Sequence, residues 1–294
     1  MNTLLKQCSI LLFAGSMIHI AACTKAKFDD DYSKGAPPPI AGGYTNSRQI
    51  ATADLVAYWA FDGSYVDSVG GLTGANKGTT FAAKGQKGGA LQIGGSNYYV
   101  FDNPGAAIPA MTAFTVSFWM NAPRNKDYGY GIFSLNNPID FWGSLDIYLD
   151  NGSGDDTAQF KVHFNNSNAV NTGQFLGAKV GNAWNKWVHM VVTYDATTTA
   201  TTPNFVIYQN GSPIYSALIK DANGSIFGPV KFPSPTKMVI GTWQFQTDPS
   251  LTTGSGSQPW AGSYAGMLDE FRIYKRPLNA LEVSALFKLE KQGR

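Results

Sequence analysis

The sequence predicts an all-β fold, two packed antiparallel sheets wired as a jelly roll, followed by one short C-terminal helix. Three observations carry this. Short runs of alternating apolar and polar residues, or of β-branched and aromatic ones, recur from residue 51 to 274 and are separated by turn-forming residues. Charged residues make up only 14% while glycines number 32, a profile of strands and turns. Hydrophobic residues reach 44% and aromatics 13%, enough for a large core to offset the entropy of ordering the chain.

The strand-like runs fall at residues 55–60, 90–93, 98–100, 114–120, 131–135, 145–149, 159–164, 187–194, 204–209, 237–242 and 266–274. Asn210 and Gly211 directly after one run predict a tight hairpin, because both residues tolerate the positive φ of a type I′ turn. Near the end, Asn279 and Glu282 have the spacing of a capping box, and Leu278 and Val283 that of a hydrophobic staple. Leu281, Ala285, Leu286 and Leu289 then form an apolar stripe, expected to close an open end of the sandwich.

Residues 1–22 read as an export signal, with Lys6 before an apolar run over residues 8–20 that is too short to span a bilayer stably. The run ends in Ile20-Ala21-Ala22-Cys23, which resembles the lipobox of bacterial lipoproteins. That resemblance implies cleavage before Cys23 and acylation of its thiol and new amine; several acyl chains anchor lastingly where one does not. An ordinary signal peptide with a nearby cysteine is the plainer alternative. Cys8, the only other cysteine, leaves with the leader, so the body has no thiol chemistry.

Residues 23–50 read as a flexible tether, with Asp29, Asp30 and Asp31 followed by Pro37, Pro38 and Pro39 and by Gly42 and Gly43. An acidic cluster after a lipidated cysteine resembles the surface-export signals of some Gram-negative (Bacteroidetes-like) bacteria, and implies a surface-exposed outer-membrane lipoprotein. Residues 51–294 form the single folded domain. The net charge of +2, without a basic stripe, argues against nucleic acid as partner, and three histidines are too few for a His-rich metal site.

Three stretches in order resemble the laminin-G-like branch of the concanavalin A-like lectin/glucanase superfamily. They are LVAYWAFDG at 55–63 with Val66 to Gly70, FTVSFW at 114–119 with WVHMVVTYD at 187–195, and GMLDEFRIY at 266–274 with Arg276-Pro277-Leu278. The resemblance spans about residues 54–287 and implies a concanavalin A-like sandwich and a binding role. It also implies one structural Ca2+ held by Asp62, Asp67 and Asp269, a hard cation suited to carboxylates on rigid turns. The alternative is that Asp62 and Asp67 organise turns through Asx-type bonds.

Two stretches depart from the compact family pattern, residues 138–154 and 244–264. Lengthened loops on a rigid scaffold are where binding surfaces are placed. Trp142, Asp146, Tyr148, Asp150, Trp243, Phe245 and Trp260 lie in or beside them, and offer flat rings and polar groups for a sugar. Asp146, Tyr148 and Asp150 share one face of their strand.

Catalysis is not expected. The nearest run to a glucanase acid triplet is Asp146 to Asp150, which lacks the central acid. In a regular strand its ends stand about 13 Å apart, whereas retaining chemistry needs carboxyls about 5–5.5 Å apart and inverting chemistry about 6.5–9.5 Å. Asp269 and Glu270 are adjacent and expected on opposite faces. His163 and His189 have no nucleophile motif to serve. The reading is a non-catalytic carbohydrate-binding lipoprotein with a glycan ligand and neighbouring outer-membrane uptake proteins as partners. A protein-binding adhesion module and a glycoside hydrolase with an unrecognised site are the alternatives.

Overall fold

The computed structural model describes residues 38–294 apart from 126, 152–153, 168–172 and 200. The export signal, Cys23 and the acidic cluster lie outside the described residues.

Two eight-stranded sheets face each other. The first contains β1 (Leu55–Trp59), β3 (Thr80–Ala82), β4 (Ala90–Ile93), β6 (Phe114–Asn121), β11 (Val188–Tyr194), β12 (Phe205–Gln209), β13 (Ser212–Ala217) and β16 (Gly266–Tyr274), in the order β13-β12-β11-β6-β16-β4-β3 with β1 also on β16. The second contains β2 (Gly74–Lys77), β5 (Tyr98–Phe101), β7 (Gly129–Leu135), β8 (Leu145–Asp150), β9 (Thr157–Asn165), β10 (Gly173–Gly181), β14 (Met238–Ile240) and β15 (Ala261–Ser263), in the order β10-β9-β8-β7-β14-β5-β2 with β15 parallel to β7. The sequence runs all become strands. Asn210 and Gly211 both take positive φ, 50° and 80°, in the β12–β13 turn, as the hairpin signal predicts.

Alternation sends one row of each strand inward. Trp59 and Phe271 from the first sheet pack with Phe101 and Phe133 from the second: Trp59 lies 5.0 Å from Phe101, and Phe271 5.5 Å from Phe133. Phe118 stacks on Phe271 at 5.3 Å. Such pairs add about 0.5–1.5 kcal/mol each beyond the area they bury. The positions facing away are covered differently on the two sheets.

Helix α1 (Ala280–Lys291) has the capping box in full: the Asn279 side chain accepts from Glu282 N, and Glu282 accepts from Asn279 N. Leu278, Val283, Ala285, Leu286 and Leu289 are buried with Val191, Tyr208 and Tyr274. These partners lie on the outer face of the first sheet, so the helix covers that face rather than closing an end. Leu281, expected in the apolar stripe, is 48% exposed, because the helix buries only the side turned to the sheet, through Val283, Ala285, Leu286 and Leu289. Residues 39–50, expected in the tether, pack beside it: Ile50 is buried, Ile40 and Tyr44 lie against the same cluster, and Ser47 N donates to the Arg294 carbonyl. Apolar Ile40, Tyr44 and Ile50, spaced among Gly and Pro, supply enough buried surface to order the segment.

Beneath α1, Arg272 sits between two buried carboxylates. It pairs with Glu270 Oε2 at 2.6 Å and with Glu290 from the helix. Trp119 Nε1 donates to Glu290 at 2.7 Å, and Tyr58 OH donates to Glu270 at 2.9 Å. A β-bulge in β16 at Asp269–Arg272 puts Glu270 in the left-handed region, φ 51°, a conformation that costs about 1–3 kcal/mol and persists because Tyr58, Lys87 and Arg272 all hold its carboxylate.

Candidate ligand-binding face

Among the described residues no α-helix covers the outer face of the second sheet. Strand register lays three cross-strand rows on it: Asp146, His163 and Phe175; then Tyr148, Lys161 and Gly177; then Asp150, Gln159 and Lys179. Successive rows are two residues apart, so the first and third are separated by about 13 Å.

The two long loops fold over the β7–β8 side of this face. Gln244 fastens one to the other: its Oε1 accepts from Asn137 N at 2.7 Å, and its Nε2 donates to the carbonyls of Asp140 and Phe141 at 2.9 Å. Gly131 permits the approach, since a Cβ there would lie 2.6 Å from the Thr242 and Trp243 backbone. Trp243 then packs on Tyr148 at 4.4 Å and on Phe245 at 5.4 Å.

This arrangement sorts the sequence-predicted residues into two groups. Trp243, Phe245 and Tyr148 are buried in one aromatic cluster with Ala261, so they form the foundation rather than the surface. Burial, with Asp150 and Asp146 nearby, pushes the Tyr148 phenol well above its ordinary range. Asp146 is also buried; its carboxylate accepts from Ser134 Oγ and from Gly143 N at 2.8 Å, and meets His163 Nδ1 at 3.2 Å. Trp142, Asp150 and Trp260 remain accessible, Trp260 at 39%.

The surface is completed by residues the sequence reading did not single out. Phe175 is 53% exposed, its ring 5.1 Å from Trp142 and nearly perpendicular to it, and 4.5 Å from His163. Lys161, Gln159 and Lys179 line the other two rows. Alternation of inward Leu176, Ala178 and Val180 was the signal that could have found β10. The result is an aromatic ledge, Phe175, Trp142 and Trp260, beside a polar strip containing both charges.

The acids named for calcium lie apart in their chemistry. Asp67 is buried and its oxygens accept from four backbone N–H groups, of Tyr58, Val69, Gly70 and Leu72, which fills its acceptor capacity as a turn organiser. Asp62 is exposed and accepts from Gly89 N at 2.6 Å. Asp269 Oδ2 accepts from Lys87 N at 2.9 Å, while its buried Oδ1 has no hydrogen-bond partner. Burial raises Asp269 to about 8. Asp62 and Asp269 thus both grip the loop 85–89. An orphaned buried carboxylate oxygen there fits a cation, and Asp67 does not fit as its ligand. Among the described residues no group of three or more His, Cys, Asp or Glu gathers at one point.

The bulge also overturns the expected opposition of Asp269 and Glu270. Both reach Lys87, Asp269 at its backbone N and Glu270 at Nζ, 3.4 Å.

Residues 93–225 match the family model of laminin-G type described as concanavalin A-like lectin/glucanases superfamily. No curated protein sequence matches the chain. Among solved structures, domain 4 of the extracellular arabinanase AbnA from Geobacillus stearothermophilus, solved with arabinotriose, is similar at 17% identity and TM-score 0.53, covering 79% of this chain and 98% of that one. The botulinum neurotoxin serotype G binding domain is similar at 18% identity and TM-score 0.56, covering 80% and 51%. The serotype D ligand-binding domain, solved with N-acetylneuraminic acid, is similar at 14% identity and TM-score 0.56, covering 83% and 52%. The chain spans about half the length of these toxin domains. At such identities the likeness shows the fold alone: a two-sheet, jelly-roll-like β-sandwich.

Proposed function

We propose that this chain is a non-catalytic carbohydrate-binding module, and that the outer face of the second sheet is where it holds an oligo- or polysaccharide. The carrying observation is the exposed ring of Phe175 beside Trp142, set on a buried aromatic and carboxylate base and flanked by Lys161, Gln159 and Lys179. Sugars need this pairing, an apolar plane for their C–H face and hydrogen-bonding groups at its edge. The sandwich solved with arabinotriose shows a sugar ligand on a similar scaffold, an argument by analogy. The buried state of Asp146 supports a role in scaffolding rather than in hydrolysis. A screen of the purified chain on a glycan array, with Phe175→Ala beside it, tests the reading: selective binding weakened by the substitution supports it, and a folded chain that binds no glycan contradicts it.

The Cys23 lipobox and the acidic tether support display of this module at the outer membrane, beside uptake proteins. Radiolabelled palmitate incorporated by the chain and lost in Cys23→Ser tests the anchor. A structural Ca2+ at Asp269 Oδ1, with Asp62 and carbonyls of residues 85–89, is the form of the calcium expectation that the orphaned oxygen supports.

A further inference from the structure

A cavity of about 370 Å³ opens near the aromatic ledge but shares no residue with it; its walls include Ser96, Tyr128, Tyr130, Gln246, Ser257 and Ser263. Three segments distant in sequence build it: the β4–β5 turn, the start of β7, and the long loop after β14 that carries Gln246, Ser257 and β15. Its size falls in the range of small-ligand sites, roughly 300–1,000 Å³.

The walls are fixed. Gln246 spends its side chain on the loop, with Nε2 donating to the Gln258 carbonyl at 2.9 Å and to that of Ala261, and Oε1 accepting from Gln258 N at 2.8 Å. Ser263 Oγ donates to Thr242 Oγ1 at 3.0 Å, and β15 is held in register on β7, Gly262 opposite Tyr130. Gly262 leaves room for the ring, since a Cβ would meet Tyr130 at 3.3 Å.

By contrast, the hydroxyls of Ser96, Ser257, Tyr128 and Tyr130 are engaged by no other described residue, and they face a cavity whose walls carry no charged side chain. Tyr128 is about half exposed and Tyr130 packs its ring against the main core, so one ring is presented and the other is rigid. Burial, and then nearby Asp127, pushes the Tyr130 phenol above its ordinary value, so it stays protonated as a donor. Asp127 also sets a negative field that disfavours an anion.

We infer that this cavity is a second binding site, taking a single neutral, hydroxyl-rich ring such as an uncharged sugar residue. Unpaired hydroxyls on two tyrosines, one presented and one held rigid, and on two serines suit a ligand that both donates and accepts, and the absence of any cation from the wall selects against uronates, sialic acids and phosphates. It deepens the carbohydrate reading but is scored by different residues from the sheet face.

The test titrates the full chain calorimetrically with neutral trimers (arabinotriose, xylotriose, cellotriose, maltotriose) and with a galacturonic acid trimer. Ser96→Trp places an indole in the cavity from an exposed turn, and Tyr128→Ala removes the exposed wall without touching the core. Each is expected to weaken a neutral trimer at least tenfold with an unchanged melting temperature, while the acidic trimer binds at least tenfold more weakly to the parent chain. Neutral binding that persists in both variants, an acidic trimer that binds equally well, or no binding by any trimer overturns the inference. Loss in Phe175→Ala with both cavity variants intact sinks the cavity alone, and the reverse pattern sinks the sheet face alone.

Discussion

Phe175 on β10 stands directly opposite His163 on β9, their rings 4.5 Å apart, and His163 in turn meets the buried carboxylate of Asp146 at 3.2 Å. The exposed ring therefore rests on a polar base that cannot easily shift. Rigidity of this kind reduces the ordering cost of binding, because the ledge is in place before a ligand arrives.

Phe175→Ala should therefore cost binding and not folding. A stacked ring lost from a binding surface costs on the order of 1–2 kcal/mol, about a tenfold or greater rise in Kd, whereas an exposed side chain away from the core changes stability by less than about 0.5 kcal/mol. Titration calorimetry beside thermal denaturation separates the two quantities, and equal losses in both would remove Phe175 from the site.

Trp243→Ala should behave in the opposite way. Its ring is 1% exposed and packs on Tyr148 and Phe245, so truncation leaves a cavity worth about 3–5 kcal/mol. Denaturant unfolding should show this loss before any ligand is added. A variant as stable as the parent would place Trp243 at the surface after all.

His189 should set part of the acid limb of stability. It lies between the rings of Trp119 and Phe287, with Ser117 Oγ at 2.9 Å from Nε2, Glu290 at 3.7 Å, and Arg272 near enough to repel a proton. Burial, then Arg272, lowers it from 6.5 to about 3. The unfolded chain thus binds an extra proton below about pH 6.5, and the stability His189 provides, complete above that value, is lost as pH falls toward 3. Burial raises Glu290 although Arg272 beside it opposes the shift, so its contribution runs the other way, declining as pH rises above the ordinary carboxylate range. His189→Gln should flatten the acid limb by up to one proton in urea titrations at successive pH values; an unchanged slope would show the imidazole charged in the fold.

Calcium should raise the melting temperature at neutral pH if Asp269 Oδ1 is its anchor, and chelator should reverse this. Asp269→Asn should abolish the response. Asp67→Asn should destabilise equally with and without the ion, because that carboxylate organises the turn through four backbone donors. A response that survives in Asp269→Asn would place the ion elsewhere.

The sequence made most strands legible because their inward rows are long and apolar, as in Phe114, Val116, Phe118 and Met120 of β6. Strands β2, β3 and β15 were not legible, since they are three or four residues long and depend on a neighbour's edge rather than on their own pattern. The capping box was read correctly from Asn279 and Glu282, but which surface the helix covers depends on the outward Val191, Tyr208 and Tyr274 of three other strands. The same limit governed the site. Trp243 and Trp142 look alike in a sequence, and only the fold shows that one lies beneath the other. The cavity at Tyr128 and Tyr130 requires three distant segments to meet, which no local pattern records.

The central claim, that a glycan binds the outer face of the second sheet, is tested most directly by titrating the full chain with its best glycan-array ligand, in parallel with Trp142→Ala and Phe175→Ala. Saturable binding by the parent chain that weakens about tenfold or more in each variant, both remaining folded, is the predicted result. Binding of equal strength in all three chains, or no glycan binding by the folded parent, would contradict it.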